Sequence, residues 1–224
     1  MAHEQLGLTN DELLSTTRAV RKRLDFDRPL SMDVIKECME LAVQAPTGSN
    51  SQAWQFVFVT DEEKRKKIGD LYRQAFSIYK DMPMAIHKLH MESDDKSLTD
   101  SQTRSASSAD YLGENMGSAP VLFIPCIAGR TDNEAGMNML AQTATLGSII
   151  PAAWNFMLAA RARGIGSAWT TLHLMHEKEI ADLLGIPFEE YTQVALIPLA
   201  YTKGTNFKPA YRPPVETVMH VNEW

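Results

Sequence analysis

Residues 139–160, MLAQTATLGSIIPAAWNFMLAA, contain no charged side chain and are long enough, as a helix, to cross a bilayer. Gln142, Thr143, Thr145, Gly147, Ser148, Pro151 and Asn155 interrupt its apolar character, and no comparable segment accompanies it. A helix apolar on most faces is also what the centre of a large protein or a dimer interface requires. The stretch therefore predicts a buried helix, from about Met137 to Arg163, and no membrane association. Pro151 should bend it or remove one of its backbone hydrogen bonds.

The flanking residues alternate helix and strand signals. Pro120–Ala128 reads as a strand, and so do Ile165–Thr171 and Thr192–Tyr201, with a helix at His176–Leu184 between the last two. On the N-terminal side, a helix is expected over Asn10–Thr17. A second helix is capped by Ser31 and carries Val34, Ile35, Cys38, Met39, Leu41 and Ala42 at helical spacing. Trp54–Thr60 (WQFVFVT) has the aromatic and β-branched content of a strand. Thr60 and Glu63 then resemble a capping box opening a helix through Leu71 and on toward Lys80. Asp81–Ser108 is polar and irregular, expected as a lid or mobile excursion, and a short helix follows at Asp110–Met116. The tail, with Pro209, Pro213 and Pro214, reads as an extended arm. Without strict strand–helix–strand alternation, the class is α+β rather than doubly wound. No repeat, low-complexity tract or linker divides residues 1–224, which are expected to form one domain.

A net charge of −6 and a pI of about 5.5 argue against general binding to nucleic acid or anionic membrane. Cys38 and Cys126 lie in apolar stretches without metal-ligand spacing, and Met1–Asn10 has no signal pattern, so a reducing cytoplasm is expected. Neither a Gly-x-Gly-x-x-Gly turn, a phosphate-loop lysine motif nor a Gly-x-Ser-x-Gly elbow occurs. His87/His90 and His173/His176 are spaced i, i+3 but lack a third ligand, so no metal site is expected.

Four segments remain as candidates for chemistry. Arg18-Ala19-Val20-Arg21-Lys22-Arg23 packs four cations into six residues, which suits a phosphate and equally suits a solvated helix end or an RNA-binding patch. Ala19 and Val20 in its middle suggest that one side faces inward. Ala45–Trp54 offers small and amide side chains that bring backbone close to a flat ligand, or forms an ordinary helix–strand loop. Gly164–Leu172 places backbone where a helix ends and a strand follows, a frequent location for ligand contacts. Tyr211-Arg212-Pro213-Pro214 holds one arginine that could complete an anion site or lie idle.

In order and spacing, these segments together resemble the flavin-dependent nitroreductase family, from about Thr16 to Pro214. Thr17-Arg18-Ala19-Val20-Arg21 is similar to the family's Arg-x-(Ser/Ala)-x-(Arg/Lys) element. Distance to Leu24-Asp25 fits Lys22 in place of Arg21, and Leu24 replaces the usual aromatic. Pro46-Thr47-Gly48-Ser49-Asn50-Ser51-Gln52-Ala53-Trp54 resembles the Pro-Ser-x-x-Asn-x-Gln-Pro-Trp loop, with Ala53 for proline. Gly147–Ala152 looks like the interface helix, Gly164–Thr171 like the strand presenting backbone to the flavin, and Arg212 like the C-terminal phosphate-contacting arginine.

The resemblance implies a three-layer α+β fold with a central mixed sheet, and a homodimer that exchanges C-terminal arms and holds FMN at its interface. It assigns the phosphate to Arg18, Ala19, Arg21, Lys22 and Arg212, and ribityl and ring oxygens to Pro46, Thr47, Ser49, Asn50 and Gln52. The N5 side falls to Trp169, Thr170 and Thr171. It further implies hydride transfer through flavin N5, in ping-pong fashion, from NADH or NADPH to a small aromatic, quinone or nitro acceptor, with no catalytic side chain required. Relatives of this kind also perform reductive dehalogenation, enone reduction and flavin breakdown, and a non-enzymatic flavin carrier or sensor is the competing class.

Overall fold

A strand buried on both faces fixes the architecture. The computed structural model describes residues 3–132 and 139–224. Strand β2 (Val121–Ala128) is buried over seven of its eight residues. Val121 and Phe123 join one apolar cluster, with helix α2 (Met32–Ala42) and helix α5 (Met139–Ala162). Leu122, Ile124 and Cys126 join another, with helices α3 (Glu62–Asp81), α4 (Lys96–Asn115) and α6 (Glu177–Leu184). Successive residues point to opposite faces of a strand, so a strand apolar on both faces requires helices above and below it. The three-layer α+β fold follows.

Strand β1 (Trp54–Val59) lies on one side of β2; β5 (Ile197–Tyr201) lies on the other and carries β3 (Ile165–Ser167) beyond it. Strand β4 (Tyr191–Gln193) pairs with the far end of β2. All strand ladders are antiparallel, and the parallel component of the sheet is confined to isolated bridges such as Ala19–Ser167.

The single strand expected over Thr192–Tyr201 is broken in two. Cys126 pairs with Gln193, but Phe123 pairs with Ile197, one residue beyond continuous register. Pro125 sits at the break. Its carbonyl accepts from Val194 N–H at 2.9 Å, and proline has no N–H to return the bond. The extra residue makes a β-bulge. Leu196 therefore turns toward Thr170, donating its N–H to the Thr170 carbonyl at 2.8 Å and accepting the Thr170 hydroxyl at 2.6 Å. The strand expected over Ile165–Thr171 correspondingly stops at Ser167.

Two further expectations are corrected. Asp61, not Thr60, caps α3, accepting from Lys64 N–H at 2.9 Å. The stretch Asp81–Ser108 is not irregular throughout. Asp95 caps a 20-residue helix through Ser97 and Leu98 N–H, and the short helix expected at Asp110–Met116 is the end of α4. The expected start of α5 at Met137 lies outside the described residues. Most of the C-terminal half of α5 is buried in this chain, with Phe123 and Phe156 rings 4.7 Å apart, whereas Met139, Leu140, Ile150 and Trp154 are exposed.

Helix α3 approaches the turn Met116–Ser118 through two glycines. A Cβ on Gly69 would stand 2.6 Å from Gly117 N, closer than any real contact. We expect Gly69→Ala to destabilise the protein by about 1–3 kcal/mol through backbone overpacking. Urea denaturation measures this, and a loss below about 0.5 kcal/mol would show that the contact relaxes freely.

Candidate functional site

The cationic segment is extended and zipped to the edge of the sheet. Val20 donates its N–H to the Ser167 carbonyl at 2.8 Å, and Leu24 bridges Thr202. Val20 and Leu24 point inward and are buried; Ala19, expected to share that side, is exposed. Arg18, Arg21 and Lys22 consequently face outward onto a cavity of about 390 Å³. Its opposite wall is α4, which presents Ser101, Arg104, Ser105 and Ser108 at i, i+3, i+4 and i+7, one helical face. Arg21 donates to Ser108 Oγ at 3.2 Å and Lys22 to Ser107 Oγ at 2.7 Å.

No carboxylate pairs with Arg18, Arg21, Lys22, Arg23 or Arg104 among the described residues. Burial pulls the pKa of the Arg21 guanidinium below its ordinary value, with Arg18 adding like-charge repulsion. Arg23 differs from the rest. Its Nε donates to the Lys203 carbonyl at 2.9 Å and its guanidinium lies 4.1 Å over the Phe207 ring, anchoring the start of the arm. The arm's Tyr211 hydroxyl then donates to Asp95, tying the arm to the N-terminus of α4 beside the cavity.

Arg21 also lines a second cavity, of about 180 Å³, together with Trp169, Thr170 and Thr171 and with Tyr72, Phe76 and Tyr79. The Thr170–Leu196 bonds at the bulge fix this wall. Burial pushes the Tyr72 phenol up to about 12, so it stays protonated. Just beyond Thr171, His173 is fully buried, neither ring nitrogen is hydrogen-bonded among the described residues, and desolvation lowers its pKa to about 3. No group of three or more metal-ligating side chains exists among the described residues.

The loop after α2 lies elsewhere. Gly48, Ser49 and Ser51 face a third cavity, with Ala144, Thr145 and Ser148 of α5. Gly48 N–H donates to Ser148 Oγ at 3.0 Å and Gln52 N–H to Thr47 Oγ1 at 3.2 Å. Ser49, Asn50 and Gln52 all hold positive φ, at 53°, 52° and 47°. Asn accepts this region readily, but Ser and Gln do so at a cost, and such strain concentrates at ligand sites. The loop residues, Ser49 to Gln52, are exposed, and Pro46 with them.

Arg18, Arg21 and Lys22 are therefore brought together, and Arg21 is joined to Trp169–Thr171. Thr47, Ser49, Asn50 and Gln52 form a separate group within one chain. Arg212 reaches neither; among the described residues its guanidinium donates only to the Tyr211 carbonyl, at 2.7 Å. The α4 face and the Tyr72–Tyr79 wall were missed from the sequence. Ser101, Arg104, Ser105 and Ser108 carried the signal, hidden because the stretch read as irregular.

The chain matches the Nitroreductase family over residues 14–201, and it belongs to that family. It is 26% identical over 194 residues to an Archaeoglobus fulgidus protein bearing the name NADH dehydrogenase/NAD(P)H nitroreductase, covering 86% of this chain and 84% of the relative. Its fold is similar to a BluB-like flavoprotein of Clostridium difficile, with TM-score 0.68, 20% identity and coverage of 97% of this chain and 100% of the other. It is also similar to iodotyrosine deiodinase solved with FMN and 3-iodo-L-tyrosine, with TM-score 0.67, 19% identity and coverage of 95% and 98%.

Two predictions follow from local chemistry. His173 has a folded pKa below its unfolded value near 6.5, so its contribution is complete above about pH 6.5 and is lost as pH falls toward 3. Between pH 6.5 and 5, stability should fall by up to about 1.4 kcal/mol per pH unit more in the parent than in His173→Leu. Parallel urea-midpoint profiles for the two proteins would refute this. Replacing Ser49 or Gln52 by Gly should raise stability by about 0.5–1 kcal/mol each, because glycine adopts positive φ without strain. Unchanged or lower midpoints would show that the loop is relaxed.

Proposed function

We propose that this chain binds FMN and passes electrons through it from NADH or NADPH to a small aromatic, quinone or nitro acceptor. The observation that carries the reading is Arg21. A partly buried cation without a carboxylate partner, it joins a cationic cavity to an aromatic-walled one. Burying an unpaired charge is costly, and a phosphate monoester supplies the missing anion with oxygens for several donors. The residues present thus fit the phosphate end of FMN.

FMN, when bound, supplies hydride exchange at N5. The chain's own residues bind and orient. Arg18, Arg21 and Lys22 neutralise the phosphate, assisted by the exposed backbone at Ala19. Trp169, Thr170 and Thr171 offer backbone and hydroxyl groups to the ring edge, held in place by the Thr170–Leu196 bonds. Tyr72, Phe76 and Tyr79 add aromatic rings to the lining, which suits planar partners.

The second group of residues requires a second copy. Pro46, Thr47, Ser49, Asn50 and Gln52 line no cavity shared with Arg21, so they reach the ribityl chain and ring oxygens of the cofactor only from a partner subunit. The surface supports this. Met139, Leu140, Ile150 and Trp154 leave an apolar stripe on α5, and Val218, Met219, Val221 and Trp224 leave the arm without a core of its own. Arg212 lies on that arm and joins the phosphate site on exchange.

Purified protein should be yellow, and Arg21→Ala should bind FMN at least about tenfold more weakly, as expected for losing a charge-assisted contact. A parent protein that is colourless and takes up no added FMN sinks the reading. Steady NADH or NADPH oxidation with a nitroaromatic or quinone separates an enzyme from a flavin carrier.

A further inference from the structure

The cationic cavity holds more charge than one FMN phosphate uses. Arg18, Arg21, Lys22, Arg23 and Arg104 all line it, and a phosphate monoester carries at most two negative charges. Arg23 is already engaged by Phe207 and the Lys203 carbonyl. Arg21 and Lys22 hold hydroxyls of α4. Of the five, only the Arg104 side chain makes no hydrogen bond, ion pair or ring contact among the described residues. It is exposed on the cavity-facing side of α4 and flanked one helical turn earlier by Ser101 and at the next position by Ser105. Helix position and hydroxyl neighbours make it a ready acceptor of a second tetrahedral anion.

We infer that Arg104, with the hydroxyls of Ser101 and Ser105, recognises a second phosphate, the 2′-phosphate of NADPH, and that the protein consequently selects NADPH over NADH. This rests on the FMN reading above, under which a nicotinamide donor must approach the same cavity system. The 2′-phosphate is the one group that distinguishes the two donors. It brings its charge to the wall opposite the FMN phosphate, where a cation lacking any partner stands. Discrimination between donors then lies on α4, the element that also closes the cavity over Arg21 and Lys22.

The test is calorimetric titration of the flavin-loaded protein with adenosine 2′,5′-bisphosphate and with adenosine 5′-monophosphate. The parent should bind the bisphosphate at least about tenfold more tightly, the worth of one charge-assisted arginine–phosphate contact. Arg104→Ala should abolish that preference, and Arg104→Lys should restore part of it. The ratio of KM for NADH to KM for NADPH should collapse in step. Equal affinity for both nucleotides in the parent, or a preference that survives Arg104→Ala, overturns the inference. Visible flavin absorbance, recorded on the same samples, reports the FMN reading separately. Full flavin content with no 2′-phosphate preference removes only the assignment of Arg104, whereas flavin-free protein removes the reading beneath it.

Discussion

A short backbone ladder, from Val20 N–H on the Ser167 carbonyl at 2.8 Å to Asp25 N–H on the Tyr201 carbonyl at 2.8 Å, holds the candidate site together. It fastens four cations, which repel one another, to the edge strand of a sheet built from residues almost 150 positions away. Beside it, buried Val20 and Leu24 supply the apolar attachment that offsets this repulsion. With the segment fixed there, Arg21 sits between the cavity under α4 and the wall made by Trp169–Thr171. A segment held by side chains alone could swing into solvent, where its charges would gain more hydration than the cavity returns.

The sheet edge in turn depends on Pro125. A proline inside a fully buried strand looks misplaced, because it cannot donate to the ladder. Here the missing donor falls where β4 gives way to β5, and the resulting bulge sends Leu196 to hold Thr170 by both its N–H and its carbonyl. The defect in one ladder thus places the residues that wall the second cavity. Bulges commonly re-aim side chains beside functional sites, and this one does so through backbone.

Much of this was legible before any coordinates, and the reasons for success and failure are physical. The apolar runs at Trp54–Val59 and Val121–Ala128, and the helix cap at Ser31, are local signals, and they landed within a residue or two. The α5 core face was readable because an uncharged helix must find apolar company. Helix α4 was not, because its sequence is polar nearly all round and its only cue is an Asp95 cap followed by serines that ordinarily disfavour helix interiors. The register slip at Pro125 was invisible for another reason: it depends on which strand lies opposite, and no single sequence states that. The residue types of the cation cluster were evident, whereas which cavities Arg21 and Lys22 face needed the fold. Both reach the first cavity, but only Arg21 reaches the second.

Arg130 shows what this protein does with a buried arginine that has only a structural task. Its guanidinium meets Glu177 at 2.8 Å and Asp132 at 2.7 Å, donates to the Phe188 and Tyr191 carbonyls, and lies 4.1 Å over the Phe188 ring. Its carboxylate partners hold the pKa well above the ordinary arginine value, and every neighbour is part of the fold. Arg21 has none of this: two serine- and tyrosine-lined walls, a like charge nearby, and a pKa displaced the other way. A missing carboxylate alone does not separate the two, since Arg161 is buried without one among the described residues, held by the Thr205 carbonyl at 3.1 Å, the Thr16 hydroxyl at 3.3 Å and the Phe207 ring. What sets Arg21 apart is that it also opens onto two cavities, where an apolar residue would pack at less cost. On the proposed reading, an anion from outside the chain completes that site.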